Sequence, residues 1–530
     1  MQQRRRRTNV KGGEGADDAV AAFSRHTSCA PDDTTGFRVC AEENRVFRDV
    51  VEDSVRRLQK EEERGRRTWV RGVPDVSLVG ATPLFRLLRA MPKGALLHAH
   101  FPAMVGWSKF LTAVLRAPEL HGKVFYLRDP RALRNFVEND PYLRRDKASH
   151  VWNAPSGYTK NALTVFPDAP SDPPPGWQLL TRSSAEYIAT QMASSHSWDT
   201  LRRNNSLPWS LIKNVEVFEL YFRMLLEEAI ADGVQHVELK TNLGNLHVKY
   251  DRRRDAKHYE GRWLTQQDEI DAMSRVYDDP RWSFASRITF RLILGAHRSA
   301  PPEVVENRLD GFVRTYKANR GVVGGVDIFG REEGSRSNEA FMRPLRKTWA
   351  AVREAQQEGR EADRDDFVFS VHSGETADVE YPVDRNLAAL LRVDDAARIR
   401  VGHGLSLWKY PRLERMFASG ERERKHIEAC PLSNVILGYV DRTSNHPGLR
   451  YFLADIPVSI SSDDPAYFGY DHVSYDWFAA VVAWNLQLQD VVRLCMASVQ
   501  ASAMSRADRD RLARAHAEAM RLFLTEMMKK

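Results

Sequence analysis

Two adjacent carboxylates, Asp463 and Asp464, follow the apolar, β-branched run from Ile456 to Ile460 and stop at Pro465. The run reads as a buried strand ending in a sharp turn that presents both acids at its mouth. Like charges held away from water are costly, so such a doublet calls for a cation or a shared proton. Alone it is equally readable as an exposed Asp-Asp turn, but three other strand-like runs end in histidine: His98 and His100, His372, and His403. His98 and His100 are two apart, so on a strand both rings share a face and can grip one ion. His372 is followed three residues later by Glu375. Three imidazoles (His98, His100, His372) with the Asp463 carboxylate suit zinc, water completing an expanded shell. Zinc lowers the pKa of its water from about 15.7 toward about 7. The residues thus assemble a hydrolytic centre, with His403 as base, Glu375 as acid and Asp464 orienting the nucleophile. By itself His403 reads as a core histidine held by Arg398 or Arg400.

Strand-like runs carry these residues at 94–100, 236–243, 288–296, 322–329, 367–372, 398–403, 426–434 and 456–462. Helical patterns separate most of them. Eight such units predict a parallel sheet closed into a (β/α)8 TIM barrel. His100, Glu238, Gly330, His372, Glu375, His403, Asp463 and Asp464 then fall at or just beyond C-terminal strand ends, where barrels of this kind build their sites. The barrel is expected over 85–530, with an insertion at about 101–185 after the first strand. A helical arm is expected over 36–84, with Val46, Phe47, Val50, Val51, Val55 and Leu58 at helical spacing, to pack on the body or to mediate dimerisation. Residues 1–35, with the run Arg4–Arg7, read as a basic disordered tail.

Composition narrows the function classes. Hydrophobic residues at 42% and charged residues at 28% are ordinary for a soluble globular chain. A net charge of +7, from 78 basic and 71 acidic residues, is too small at this length to point to nucleic acid. No apolar segment is long enough to span a bilayer, and the N-terminal arginines lack the apolar stretch of a secretory signal. Of four cysteines only Cys29 and Cys40 are close enough in sequence to suggest a bridge. A cytoplasmic location is therefore expected. Two competing motifs fail. His426-Ile427-Glu428 with Cys430-Pro431 echoes a zinc-dithiolate signature but lacks a second nearby cysteine. The glycines from Gly321 to Gly325 lack the spacing of a dinucleotide turn.

The set of motifs resembles the adenosine deaminase family, and most closely its growth factor branch. The matching stretches are MPKGALLHAH (91–100), VQHVELK (234–240), VGGVDIFG (323–330), HSGE (372–375), RIRVGHG (398–404), EACPLSN (428–434), NHP (445–447) and ISSDDPAYFG (460–469). The resemblance runs from about residue 85 to the C-terminus. It implies one zinc per chain, held by His98, His100, His372 and Asp463, and hydrolytic deamination at C6 of a purine nucleoside. Position by position it makes Glu375 the donor to purine N1, His403 the base, Asp464 the partner of the nucleophile and N7, and the Gly330 amide a contact of N3. Glu238 matches a ribose contact. Phe101 stands where the family carries a ribose-binding aspartate, and Arg331 where the branch carries histidine, so an altered sugar site is expected. The implied partner is a small-molecule purine nucleoside, and the helical arm leaves a homodimer open. A non-catalytic relative that binds a nucleoside or a protein is the alternative, and the intact set of seven metal and catalytic residues argues against it.

Overall fold

A computed structural model describes residues 39–70, 73–127, 163–165, 177–201, 204, 211–244, 265–358, 366–376, 383–418 and 425–529. The expected basic tail lies outside the described residues. Eight parallel strands form one sheet in strict chain order: β1 Ala95–His100, β2 His236–Thr241, β3 Thr289–His297, β4 Val323–Phe329, β5 Val368–Ser373, β6 Ile399–His403, β7 Lys425–Ala429 and β8 Val458–Ile460. Helices fill the connections and surround the sheet, giving the nearly closed barrel predicted from the alternation. Between β8 and β1 closure rests on one parallel bridge, Ala99 to Asp463. There His100 N–H donates to Asp463 O (3.2 Å) and Asp463 N–H to His98 O (3.1 Å).

The strand expected over 426–434 ends at Ala429, and Pro431–Ile436 is a helix. Pro431 stands at its first position, where its missing N–H costs nothing and its fixed φ suits the turn. Six buried apolar side chains therefore belong to two elements, a distinction that periodicity does not make.

Helix Ala41–Glu63 lies within the stretch expected to form an arm. It buries Phe47 and Leu58 and rests Val46, Val50 and Val51 on the core. Each large apolar side chain so covered contributes about 1.5–3 kcal/mol. Polar contacts fix its seat: Asn44 Oδ1 accepts from Leu488 N–H (2.9 Å) and Ser54 Oγ from Leu84 N–H (2.9 Å). The arm thus packs on its own body. The insertion holds helix Trp107–Arg116 and an antiparallel sheet of Val124–Leu127 between Leu163–Val165 and Trp177–Leu179. Cys430 and Cys495 are free and buried, and Cys40 is disulfide-bonded. Its sequence neighbour Cys29 lies outside the described residues. Among the described residues no helix is long and apolar enough to cross a membrane.

Candidate active site

At the C-terminal end of the barrel His98 is fully buried. Its Nδ1 meets Glu428 Oε2 at 2.8 Å, and its Nε2 has no hydrogen-bond partner. That orphaned nitrogen lies 3.4 Å from Asp463 Oδ1, and His100 Nε2 lies 3.1 Å from the same oxygen. His372 enters from β5 with its Nδ1 against Asp327 (2.9 Å). The bridge that closes the barrel seats Asp463 beside both β1 histidines. The other oxygen of Asp463 accepts from the Ser433 hydroxyl at 2.6 Å. Asp463 and His403 both hold left-handed backbone (φ 63° and 67°), a cost tolerated where position is over-determined and common at functional sites.

These donors fit a metal ion. A buried imidazole nitrogen without a partner, facing a carboxylate, is costly unless a cation satisfies both. The outer nitrogens of His98 and His372 are held by carboxylates, the usual support for metal-binding imidazole. Ligating atoms of His98, His372, His403 and Asp463 lie within 4.8 Å of one another, and those of His100, Asp463 and Asp464 form an adjoining group. Burial, against the pull of Asp327, pushes the His372 pKa down to about 3. For His100 burial opposes the charge, but Asp464 and Asp463 outweigh it and raise the pKa to about 9.

The three predicted catalytic residues converge here. Glu375 is buried, its N–H donates to Glu332 Oε2 (2.8 Å), and its Oε1 has no partner. Burial, with Asp463 and Glu332 adding repulsion, holds its pKa well above the carboxylate range. A carboxyl shifted this way holds its proton to higher pH, and while protonated it is a hydrogen-bond donor. His403 Nε2 lies 3.6 Å from Glu375 Oε1, and burial holds its pKa well below the ordinary value. Asp464 rises to about 7 through burial and its neighbour Asp463, with His100 opposing. All line a cavity of about 400 Å³ shared with Gly330, Lys240, Trp198 and Leu437.

The expected sugar site does not assemble from the residues assigned to it. Phe101 is fully buried and packs on Phe218 and Tyr221, with ring centroids at 5.1 and 5.3 Å. It belongs to the packing between barrel and helices because β1 gives way at residue 101 to a tight helical turn, Phe101–Ala103, that takes this residue out of the strand. Glu238 sits inside β2, short of the mouth, paired with Arg400 (2.5 Å) and accepting from Ala503 N–H (2.5 Å). Arg331 is exposed and bonds Glu333 at 3.0 Å. Gly330 alone of the four lines the cavity.

Beneath the site lies a charged layer that strand patterning conceals. Lys240 Nζ reaches Asp327 (3.3 Å), Glu428 (3.4 Å) and Ser370 Oγ (2.6 Å). Burial alone would raise the pKa of Glu428, but Lys240 and Arg400 outweigh it and hold the acid ionised. Asp327 is likewise kept ionised against burial by His372 and Lys240. The discounted HIE motif therefore contains a support for His98. A signal did exist for Asp327, an acid inside an otherwise apolar strand, which needs a buried partner.

A larger, more open groove of about 1020 Å³ lies between the insertion and helix Val215–Ala231. It lacks the convergent histidines, and the acids Glu228 and Asp471 beside it are already bridged by Lys109 (2.8 and 3.1 Å). We assign the chemistry to the smaller cavity.

A parallel eight-stranded barrel with histidines and acids gathered at its C-terminal mouth is the kind of scaffold on which hydrolases build a metal-fitting site. The sequence profile of the adenosine deaminase family matches residues 180–518. Adenosine deaminase 2 of Pongo abelii is 26% identical over 436 residues, covering 81% of this chain and 77% of its own. The fold is similar to an amidohydrolase from Burkholderia ambifaria with bound zinc (TM-score 0.55, 16% identity, 84% of this chain and 95% of that one). It is also similar to adenine deaminase from Arthrobacter aurescens (TM-score 0.52, 18% identity, 83% and 100%). The chain belongs to the adenosine deaminase family.

Proposed function

We propose that this protein is a zinc-dependent hydrolytic deaminase of a 6-aminopurine nucleoside, adenosine or a close relative. The observation that carries the reading is the convergence of buried Glu375, whose Oε1 has no partner, with Asp463, which lines the same cavity and faces the unpartnered His98 nitrogen. His98, His100, His372 and Asp463 would hold one zinc ion. Bound there, zinc would acidify a water to a pKa of about 7 and make it a nucleophile at neutral pH.

The protein's own groups supply the rest. Glu375 donates its proton to purine N1, which draws electrons from C6 and opens it to attack. His403 and Asp464 face the attacking oxygen and orient it. Water adds at C6, the amino group leaves as ammonia, and the 6-oxopurine nucleoside is the product. The backbone at Gly330 takes a positive φ of 104°, and a side chain there would meet His297 at 2.7 Å. A glycine at this place lets main chain line the cavity where a ring nitrogen could be met.

Purified, zinc-loaded protein should release ammonia from adenosine and convert the adenine chromophore, and a chelator should stop it. A panel of adenosine, 2′-deoxyadenosine, 5′-deoxyadenosine, 5′-methylthioadenosine and AMP ranks the substrates. No turnover of any of them by protein shown to hold zinc would refute the proposal.

A further inference from the structure

The histidines at the mouth are crowded. The His98 ring centroid lies 4.7 Å from those of both His372 and His403. Proximity does not say which rings offer a lone pair inward and which offer an N–H. A neutral imidazole has one of each, and the partner of its outer nitrogen decides which faces the site. For His98 and His372 that partner is a carboxylate, Glu428 or Asp327. Both acids are ion-paired with Lys240 (3.3 Å to Asp327, 3.4 Å to Glu428), and Glu428 also with Arg400 (2.8 Å), so they only accept. Each Nδ1 therefore carries the proton, and each Nε2 turns a lone pair inward.

His403 differs. Its outer Nδ1 meets the side-chain amide of Asn434 at 3.1 Å. Whether Asn434 offers its NH2 or its carbonyl is decided two residues away. The backbone N–H of Gly448 points at Nδ1 of His446 at 3.0 Å, and a backbone N–H can only donate. Burial holds His446 neutral, its pKa pushed down to about 3. It therefore accepts at Nδ1 and carries its proton on Nε2, which lies 3.0 Å from Asn434 Oδ1. The carbonyl of Asn434 is taken by that proton, and its NH2 faces His403. The reverse orientation would set two donors against each other at Gly448. Glycine is needed at 448 for this approach, since a side chain would come within 2.9 Å of both His446 Nδ1 and the Trp484 ring.

We propose that the relay Gly448–His446–Asn434 fixes neutral His403 as the Nε2–H tautomer, so that His403 donates a hydrogen bond to the attacking oxygen and does not accept its proton. Asn434 and His446 are then positioning residues. This inference rests on the hydrolytic reading above and revises the base role expected of His403. It also sorts the crowded rings: His98 and His372 present lone pairs to a metal, and neutral His403 presents none. The proton lost by the water goes to a carboxylate, and Asp464 is the acid beside Asp463 at the cavity.

The test has two parts. In zinc-loaded protein labelled with 15N in histidine rings, the His403 signals are those absent from the His403→Asn variant. The expected spectrum shows a protonated Nε2 and a bare Nδ1, and a protonated Nδ1 overturns the proposal whatever the activity. Asn434→Asp supplies the second part. A carboxylate accepts from both His446 and His403, so it moves the His403 proton to Nδ1. With zinc content and KM held, kcat for adenosine is expected to fall about 100- to 10,000-fold, the range for misplacing the proton of a catalytic imidazole. A kcat that holds or rises means His403 works through a lone pair, and the proposal fails. Should the variant not fold, the wild-type spectrum decides alone. Absence of deamination by wild type would instead refute the proposed function, with the tautomer still read from the spectrum.

Discussion

In the proposed reaction Glu375 works only while protonated, and burial next to Asp463 and Glu332 raises its pKa. Turnover should therefore decline as pH rises through its elevated pKa. Glu375→Gln keeps the shape and removes the proton donor, so kcat should drop about 100-fold or more with zinc retained. Its residual rate should lack that alkaline decline. Equal kcat in the variant would remove Glu375 from the reaction. The carboxylates behind the ligands act differently. Asp327→Asn can present an N–H to His372 and favour the wrong tautomer, and zinc affinity should weaken about 10- to 100-fold by competition with a chelating dye. At Phe101 the expectation is reversed from the one sequence suggests. Phe101→Asp buries a charge among Phe218 and Tyr221 without a partner, so thermal stability should fall sharply and adenosine should gain nothing. The convergence of these histidines and acids on one mouth was legible because few roles suit such residues at strand ends. The sugar-site residues were not, because one tight turn after His100 rotates residue 101 away from the cavity.

Each strand brings its residues to the mouth at a height set by its neighbours. On β6, Gly402 lies against β1: a Cβ there would sit 2.9 Å from His98 Cε1 and 3.3 Å from His372 Cα. Gly402→Ala should displace the His98 ring, lowering bound zinc while circular dichroism stays that of a folded barrel. Unchanged zinc stoichiometry and affinity would show that the ring can yield. The eight strands were readable from apolar runs alternating with helical patterns, and their observed ends differ from expectation by a few residues at most sites. What patterning misses is polarity inside a strand. Lys240, Asp327 and Glu428 are buried inside strands, and only their mutual distances reveal that they complete one another's charge. Asn434 and His446 were visible only as parts of motifs, because their roles depend on an N–H of the main chain.

The whole barrel carries a pH signature in its charged interior. Against burial, Arg400 and His236 hold the Glu238 pKa at about 2, down from 4.5. A depressed acid stabilises the fold fully above its unfolded pKa and loses that contribution as pH falls through the folded one. Between about pH 4.5 and 2 the metal-free protein should therefore shed about 3 kcal/mol through this residue. Urea titrations of wild type and Glu238→Gln should show a shallower dependence in the variant over that window, and parallel slopes would discount the pair. The same body has an order in time. His98 and Ser461, which touch in the folded barrel, are separated by 363 positions, and Asp463 both pairs with Ala99 and faces the β1 histidines. A nascent chain has made His98, His100 and His372 long before it makes Asp463, yet the ring still lacks its last strand. On the proposed ligand assignment, capturing the metal and shutting the ring would be one late event, and a chain cut just before Val458 should hold three imidazoles without the Asp463 carboxylate.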